Sequence, residues 1–172
     1  MAFTIHGSLD PHGAPVLRKE IITNSVTSVI NDSVKLASGF IALGTAGVTV
    51  FGHLSGFATS KDVGVNTDGT AGAELGSFTS SYKAASDNQT VAKVKAECDV
   101  SKSTLYSAEV DSTIGTTTGS NLAGYRMDLV DANTLDESTA AVTTAQYNTW
   151  GTDPVDSARA IVNIFESQLF GL

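Results

Sequence analysis

The chain is poor in the residues that usually carry chemistry or crosslinks. Its 172 residues include one cysteine, three histidines, three prolines and one tryptophan. A lone Cys98 excludes an intramolecular disulfide, and the lack of a disulfide framework points to a fold assembled inside a cell. Ten basic residues against eighteen acidic ones leave a formal net charge of −8. Arg18-Lys19 is the only adjacent basic pair, so the clustered cations that neutralise phosphates are missing and no nucleic-acid partner is expected. The acidic residues are scattered rather than gathered in a tail, which fits a solubility role. No apolar run approaches the roughly 20 residues of a membrane helix. The opening MAFTIHGSLD has neither a basic start nor an apolar stretch, so no signal peptide is expected.

What the chain does have is small polar residues, glycine and short apolar runs. Hydrophobic residues make up 41% of it, enough for a real core, while only 16% are charged. Residues 25–65 are the densest part. Apolar runs at 34–36, 40–43 and 48–51 are cut by Asn31-Asp32, Ser38-Gly39 and residues 44–47, all of which tolerate turn dihedrals. The block predicts a compact β-barrel or sandwich, with Val29, Val34, Leu36, Phe40, Ile41, Leu43, Val48, Val50, Phe51, Leu54 and Phe57 as core candidates.

Residues 1–16 predict an extended N-terminal arm, because Gly7, Pro11, Gly13 and Pro15 interrupt any period. Phe3, Ile5 and Leu9 alternate along it and are candidate subunit contacts. Deleting residues 1–16 is expected to leave the rest folded. Residues 17–172 form a single β-rich domain with little helix, in which a small barrel over 17–65 is elaborated by 66–172. Residues 66–76 and 114–121 are Gly/Thr-rich loops. In VAKVKAECDV, Val94, Ala96, Cys98 and Val100 share one face, and Lys93, Lys95, Glu97 and Asp99 share the wet face. Residues 104–110 give another strand, and Tyr125, Met127 and Leu129 alternate with Arg126 and Asp128. Residues 131–141 predict a polar connection with a helical turn. At 158–166, β-branched Ile161-Val162 favours a strand over the helix suggested by Ile161, Ile164, Phe165 and Leu169. The halves have similar strand spacing without a repeated motif.

No catalytic, cofactor or metal site is predicted. His6 and His12 lack Cys or carboxylate at ligand spacing. His53 stands near Ser55, but GHLSG does not make a nucleophile elbow, so the two read as polar neighbours on one strand face. Cys98 reads as a buried hydrophobe. Asp131, Asn133, Asp136 and Glu137 resemble part of a calcium loop but lack its glycine, and read as a solvated turn in preference to a weak calcium site. The glycine-rich loops match no phosphate-binding pattern. Asn31 and Asn88 open chance glycosylation sequons. Trp150 predicts a core or interface anchor rather than a sugar platform.

The run SVTSVINDSVKLASGFIALGTAGVTVFGHLSGF resembles the small β-barrel units of tailed-bacteriophage capsid decoration (cement) proteins. Residues 32–36, 39–43 and 50–54 fall where those proteins carry successive strands, and WGTDPVDSARAIVNI is similar to segments of phage structural proteins. The resemblance implies a non-enzymatic virion protein without cofactors, on the capsid exterior, assembled in the bacterial host cytoplasm. Its partners would be the major capsid protein and further copies of itself, with a homotrimer favoured. A tail-tube or head–tail connector protein is the alternative, and a small carbohydrate-binding module a more distant one.

Overall fold

A computed structural model describes residues 3–10, 15–59, 81–84, 86–91, 94–115, 122–141 and 145–165. It is mainly β, as expected, and the described helix is confined to α1 (Asn88–Val91). The predicted loop 66–76, residues 63–65 and 116–121, and His12 lie outside the described residues.

The first sheet holds β2 (Leu17–Ile21), β4 (Ser33–Ala37), β5 (Phe40–Leu43), β6 (Gly52–Thr59) and β8 (Val94–Asp99), in the order β2-β8-β6-β4-β5. Ser38 and Gly39, both at positive φ (52° and 83°), make the two-residue turn between β4 and β5. The sheet curls until Ile22 meets Ile41 in a parallel bridge, with the Thr23 N–H donating to the Ile41 carbonyl at 2.8 Å. Beside it β3 (Thr27–Val29) pairs with β7 (Ser81–Lys83). The ring therefore extends past 17–65 and draws its fifth strand from residues 94–99.

The second sheet closes into a barrel of β9 (Thr104–Val110), β10 (Arg126–Leu129), β11 (Thr134–Ala141), β12 (Tyr147–Thr152) and β13 (Arg159–Ile164). The strand predicted near 158–166 is β13. The polar connection predicted over 131–141 is instead largely β11, whose Leu135 is fully buried while its neighbours are polar. Parallel pairing with β9, through Glu109–Thr134 and Val110–Leu135, holds it in the ring.

The two rings are one topology used twice. Each runs first–fifth–fourth–second–third strand and closes third to first in parallel. The registers agree as well: Ile22–Ile41 corresponds to Val110–Leu135, and the Thr23-to-Ile41 hydrogen bond to one from Asp111 N–H to the Leu135 carbonyl. Ser33–His53 and Val34–Gly52 correspond to Arg126–Asn148 and Met127–Tyr147. The fourth strand of each ring carries a bulge ending on glycine, at Ser55-Gly56 and at Trp150-Gly151.

A strand before the rings breaks the symmetry. β1 (Thr4–Ser8) pairs antiparallel with β9, on the edge that β9 also offers to β11. The corresponding edge of β2 has no strand partner among the described residues. The predicted free arm is thus corrected for its described part. Phe3 is fully buried and joins the core of the second barrel with Tyr106, Met127, Leu129, Leu135, Tyr147 and Val162. The first ring has its own core of Ile22, Val34, Ile41, Leu54, Val94, Ala96 and Cys98. Among its predicted members, Leu36 and Val29 are exposed instead. Val50, from the loop before β6, crosses into the second core.

Candidate functional site

The densest gathering of reactive side-chain types lies in the seam between the rings. β6 contributes His53, β12 Tyr147, β9 Tyr106, β4 Ser33 and the end of β8 Asp99, with Phe3 wedged among them. All six are at most 4% exposed. The His53 ring lies 4.4 Å from that of Phe3 and 4.1 Å from that of Tyr106, and Phe3 stacks on Tyr147 at 5.3 Å.

The hydrogen bonds fix the proton positions. His53 Nδ1 lies 3.2 Å from the Asn31 carbonyl, which only accepts, so Nδ1 carries the proton. Burial holds the imidazole neutral, with its pKa pushed down to about 4. Nε2 is then an acceptor, and the Tyr147 hydroxyl donates to it at 3.1 Å. Ser33 Oγ, 2.8 Å from that hydroxyl, donates in turn to Tyr147. A relay of Ser, Tyr and His thus runs into a backbone carbonyl, without a carboxylate behind the imidazole.

The one carboxylate of the cluster is engaged elsewhere. Asp99 Oδ2 accepts from Thr104 at 2.8 Å and from Tyr106 at 2.9 Å, and Oδ1 accepts the Ser101 N–H at 2.8 Å. Asp99 was expected on the wet face of its strand. Three donors from the next turn and strand make its burial tolerable. Burial raises the phenols of Tyr106 and Tyr147 far above their usual range. The arrangement is a satisfied polar network that positions two barrels, and it presents no group to a substrate.

The other candidates behave similarly. Ser55 is the extra residue of the β6 bulge and donates to the Glu97 carbonyl at 3.0 Å, so it does not share a strand face with His53. Cys98 is buried and its thiol is pushed up to about 12, chiefly by desolvation, which removes thiolate reactivity. His6 is exposed, and no group of three or more His, Cys, Asp or Glu side chains converges on a metal position among the described residues. An open groove of about 680 Å³ runs between the turn after β9 and the β12–β13 loop, lined by Asp111, Ser112, Ile114, Thr152 and Ser157. Asp111 Oδ1 there accepts the Glu137 N–H at 3.0 Å, and no base stands beside a nucleophile.

The predicted contact residues divide. Phe3 is core and leaves the set, because its side chain fills the seam. Ile5 is 63% exposed, Leu9 43% and Trp150 52%. Trp150 sits on the β12 bulge, not in the core, and its indole N–H donates to Asn163 at 2.7 Å. Val16 and Leu17 are two exposed apolar residues that the alternation along residues 1–16 did not single out. Together with Ile5 and Leu9 they follow one stretch of chain: Leu17 pairs with Asp99, Val16 accepts from Val100, Leu9 donates to Ser103 and Ile5 pairs with Tyr106.

Comparison with protein families, with curated proteins and with solved structures returned no match to this chain.

Proposed function

We propose that this chain is a structural virion protein that binds the outer surface of a phage capsid and stabilises the shell as a decoration protein. The observation that carries the reading is a division of labour between inside and surface. Side chains able to do acid–base chemistry are spent in the seam, while Ile5, Leu9, Val16 and Leu17 stand exposed along the connector between the rings. Exposed apolar side chains gathered along one stretch of chain offer area for contact with a partner. A decoration protein works by area and complementarity, with modest contacts multiplied by the symmetry of the lattice and of its own oligomer. The sequence resemblance supplies the capsid as partner and the homotrimer as the favoured assembly.

The test is co-sedimentation of the purified protein with mature phage heads, followed by electron microscopy. Bound knobs at lattice symmetry axes are expected, and Ile5→Asp combined with Leu9→Asp should lower occupancy at least tenfold with an unchanged melting temperature. Absence of binding by the parent protein rejects the reading, and free rings or tubes in its place favour a tail or connector component.

A further inference from the structure

We infer that β2 joins two copies of this chain, its outer edge pairing antiparallel with the same edge of a second copy about a two-fold axis at Lys19. The direction of the backbone groups decides which residues are available. The Val16 carbonyl accepts the Val100 N–H at 2.8 Å, on the side where β8 lies. Backbone groups alternate sides along a strand, so Arg18 and Glu20 also bond towards β8, while Leu17 and Lys19 turn their N–H and C=O groups away from it. No strand meets those groups among the described residues, and Leu17, Arg18 and Lys19 are exposed. In the second ring the matching positions are Leu105 and Ser107 of β9, which pair with Gly7 and Thr4 of β1. An antiparallel strand therefore fits at this point of the topology.

The run LRKEI selects a second copy as the occupant. With the axis at Lys19, Arg18 of each copy stands opposite Glu20 of the other, and Leu17 opposite Ile21. Arg18 and Glu20 then meet at the closely spaced pairs of the ladder, where opposite charges attract across strands. Moving the axis by one residue destroys the match, since Arg18 would face Arg18 or Glu20 would face Glu20. The cost is Lys19 opposite Lys19, and each copy relieves it by holding the ammonium 3.2 Å from Glu97 on β8, away from the axis. The same charges turn away strands of unrelated sequence. The contact is isologous and small, so it gains force when both copies are already held on a surface or in an oligomer. It is a two-fold link, separate from the contacts of a trimer, and does not rest on the capsid reading.

Disulfide trapping of the full chain under mild oxidation, read on a non-reducing gel, tests the register. The parent forms no covalent dimer, because Cys98 is buried and its thiol is pushed up to about 12. Lys19→Cys sets two thiols across the axis with Cα atoms about 5.5 Å apart, within disulfide reach, and is expected to give covalent dimers. Leu17→Cys lies on the same face but about 13 Å along the strand from its own copy, and should give about a tenth of that yield or less. Adding Arg18→Glu to Lys19→Cys sets like charges opposite each other and should lower the dimer yield about fivefold, and adding Glu20→Arg as well restores it. Equal yields from Leu17→Cys and Lys19→Cys overturn the pairing. So does a yield that ignores the charge reversal or is not recovered by the double exchange. A Lys19→Cys protein that forms no dimer overturns it too, and leaves the edge to a strand of another sequence.

Discussion

His53 carries the clearest consequence at the scale of a single residue. Its folded pKa of about 4 lies below the 6.5 of an exposed histidine. As pH falls from 6.5 towards 4, the unfolded chain takes up a proton that the folded chain refuses, so stability is lost across that window. The loss amounts to about 3 kcal/mol and levels off below pH ~4. Asp32 acts with the opposite sign, since its carboxyl is raised by burial and holds a proton more readily when folded. Urea midpoints measured between neutral pH and pH ~4 should therefore decline in the parent and flatten in His53→Gln. Equal slopes in the two proteins would show that the imidazole is not the titrating group. The sequence marked His53 as a structural polar residue, but not its partners. Ser33, Tyr147 and Asn31 come from strands and turns that only folding brings together.

At the scale of elements, much of the pattern was readable where one face is wet and the other dry. Val94, Ala96 and Cys98 on β8 and Met127 and Leu129 on β10 alternate as a half-buried strand must, and all are buried. The Ser38-Gly39 hairpin declares itself through its turn residues. β11 did not, because among its described side chains only Leu135 and Glu137 are buried, in a run otherwise polar up to Thr139, and its pairing with β9 is parallel and distant in sequence. Nor did the duplication: among register-matched positions the rings share little beyond Leu36 with Leu129, Gly56 with Gly151 and Ala96 with Ala160. Strand pairing uses backbone groups, so register survives the replacement of nearly every side chain. Close backbone approach is less forgiving. A Cβ on Gly52 would stand 2.5 Å from the Asp99 carbonyl oxygen and 3.0 Å from Val100 Cγ1, whereas one on Gly56 meets nothing within 4 Å. Gly52→Ala should cost about 1–3 kcal/mol in denaturant unfolding while Gly56→Ala stays near the parent. Equal behaviour of the pair would show that the β6–β8 contact can relax.

At the scale of the whole molecule, the rings share a seam that neither can close alone. The second core takes Phe3 and Val50 from the first half of the chain. Gln146 in turn donates to the carbonyls of Thr45 and Val48 while accepting the Leu129 N–H at 2.7 Å. A fragment of residues 101–172 should lack a cooperative melt and regain one when residues 1–100 are added. A sharp independent transition for that fragment would mean that the second barrel needs neither Phe3 nor Val50. Fragment complementation of this kind is expected wherever a core draws side chains from both halves.

The edge of β2 that meets no strand among the described residues gives the tandem a direction. On β9 the matching edge is sheathed by β1, but along β2 the chain places Arg18, Lys19 and Glu20 in succession, with Lys19 held 3.2 Å from Glu97. Three consecutive charges make an open strand a poor template for indiscriminate growth. Among the described residues, then, one outer strand edge of the tandem is covered by β1 and the other is guarded by charge, so the two rings present unlike edges to any neighbouring strand.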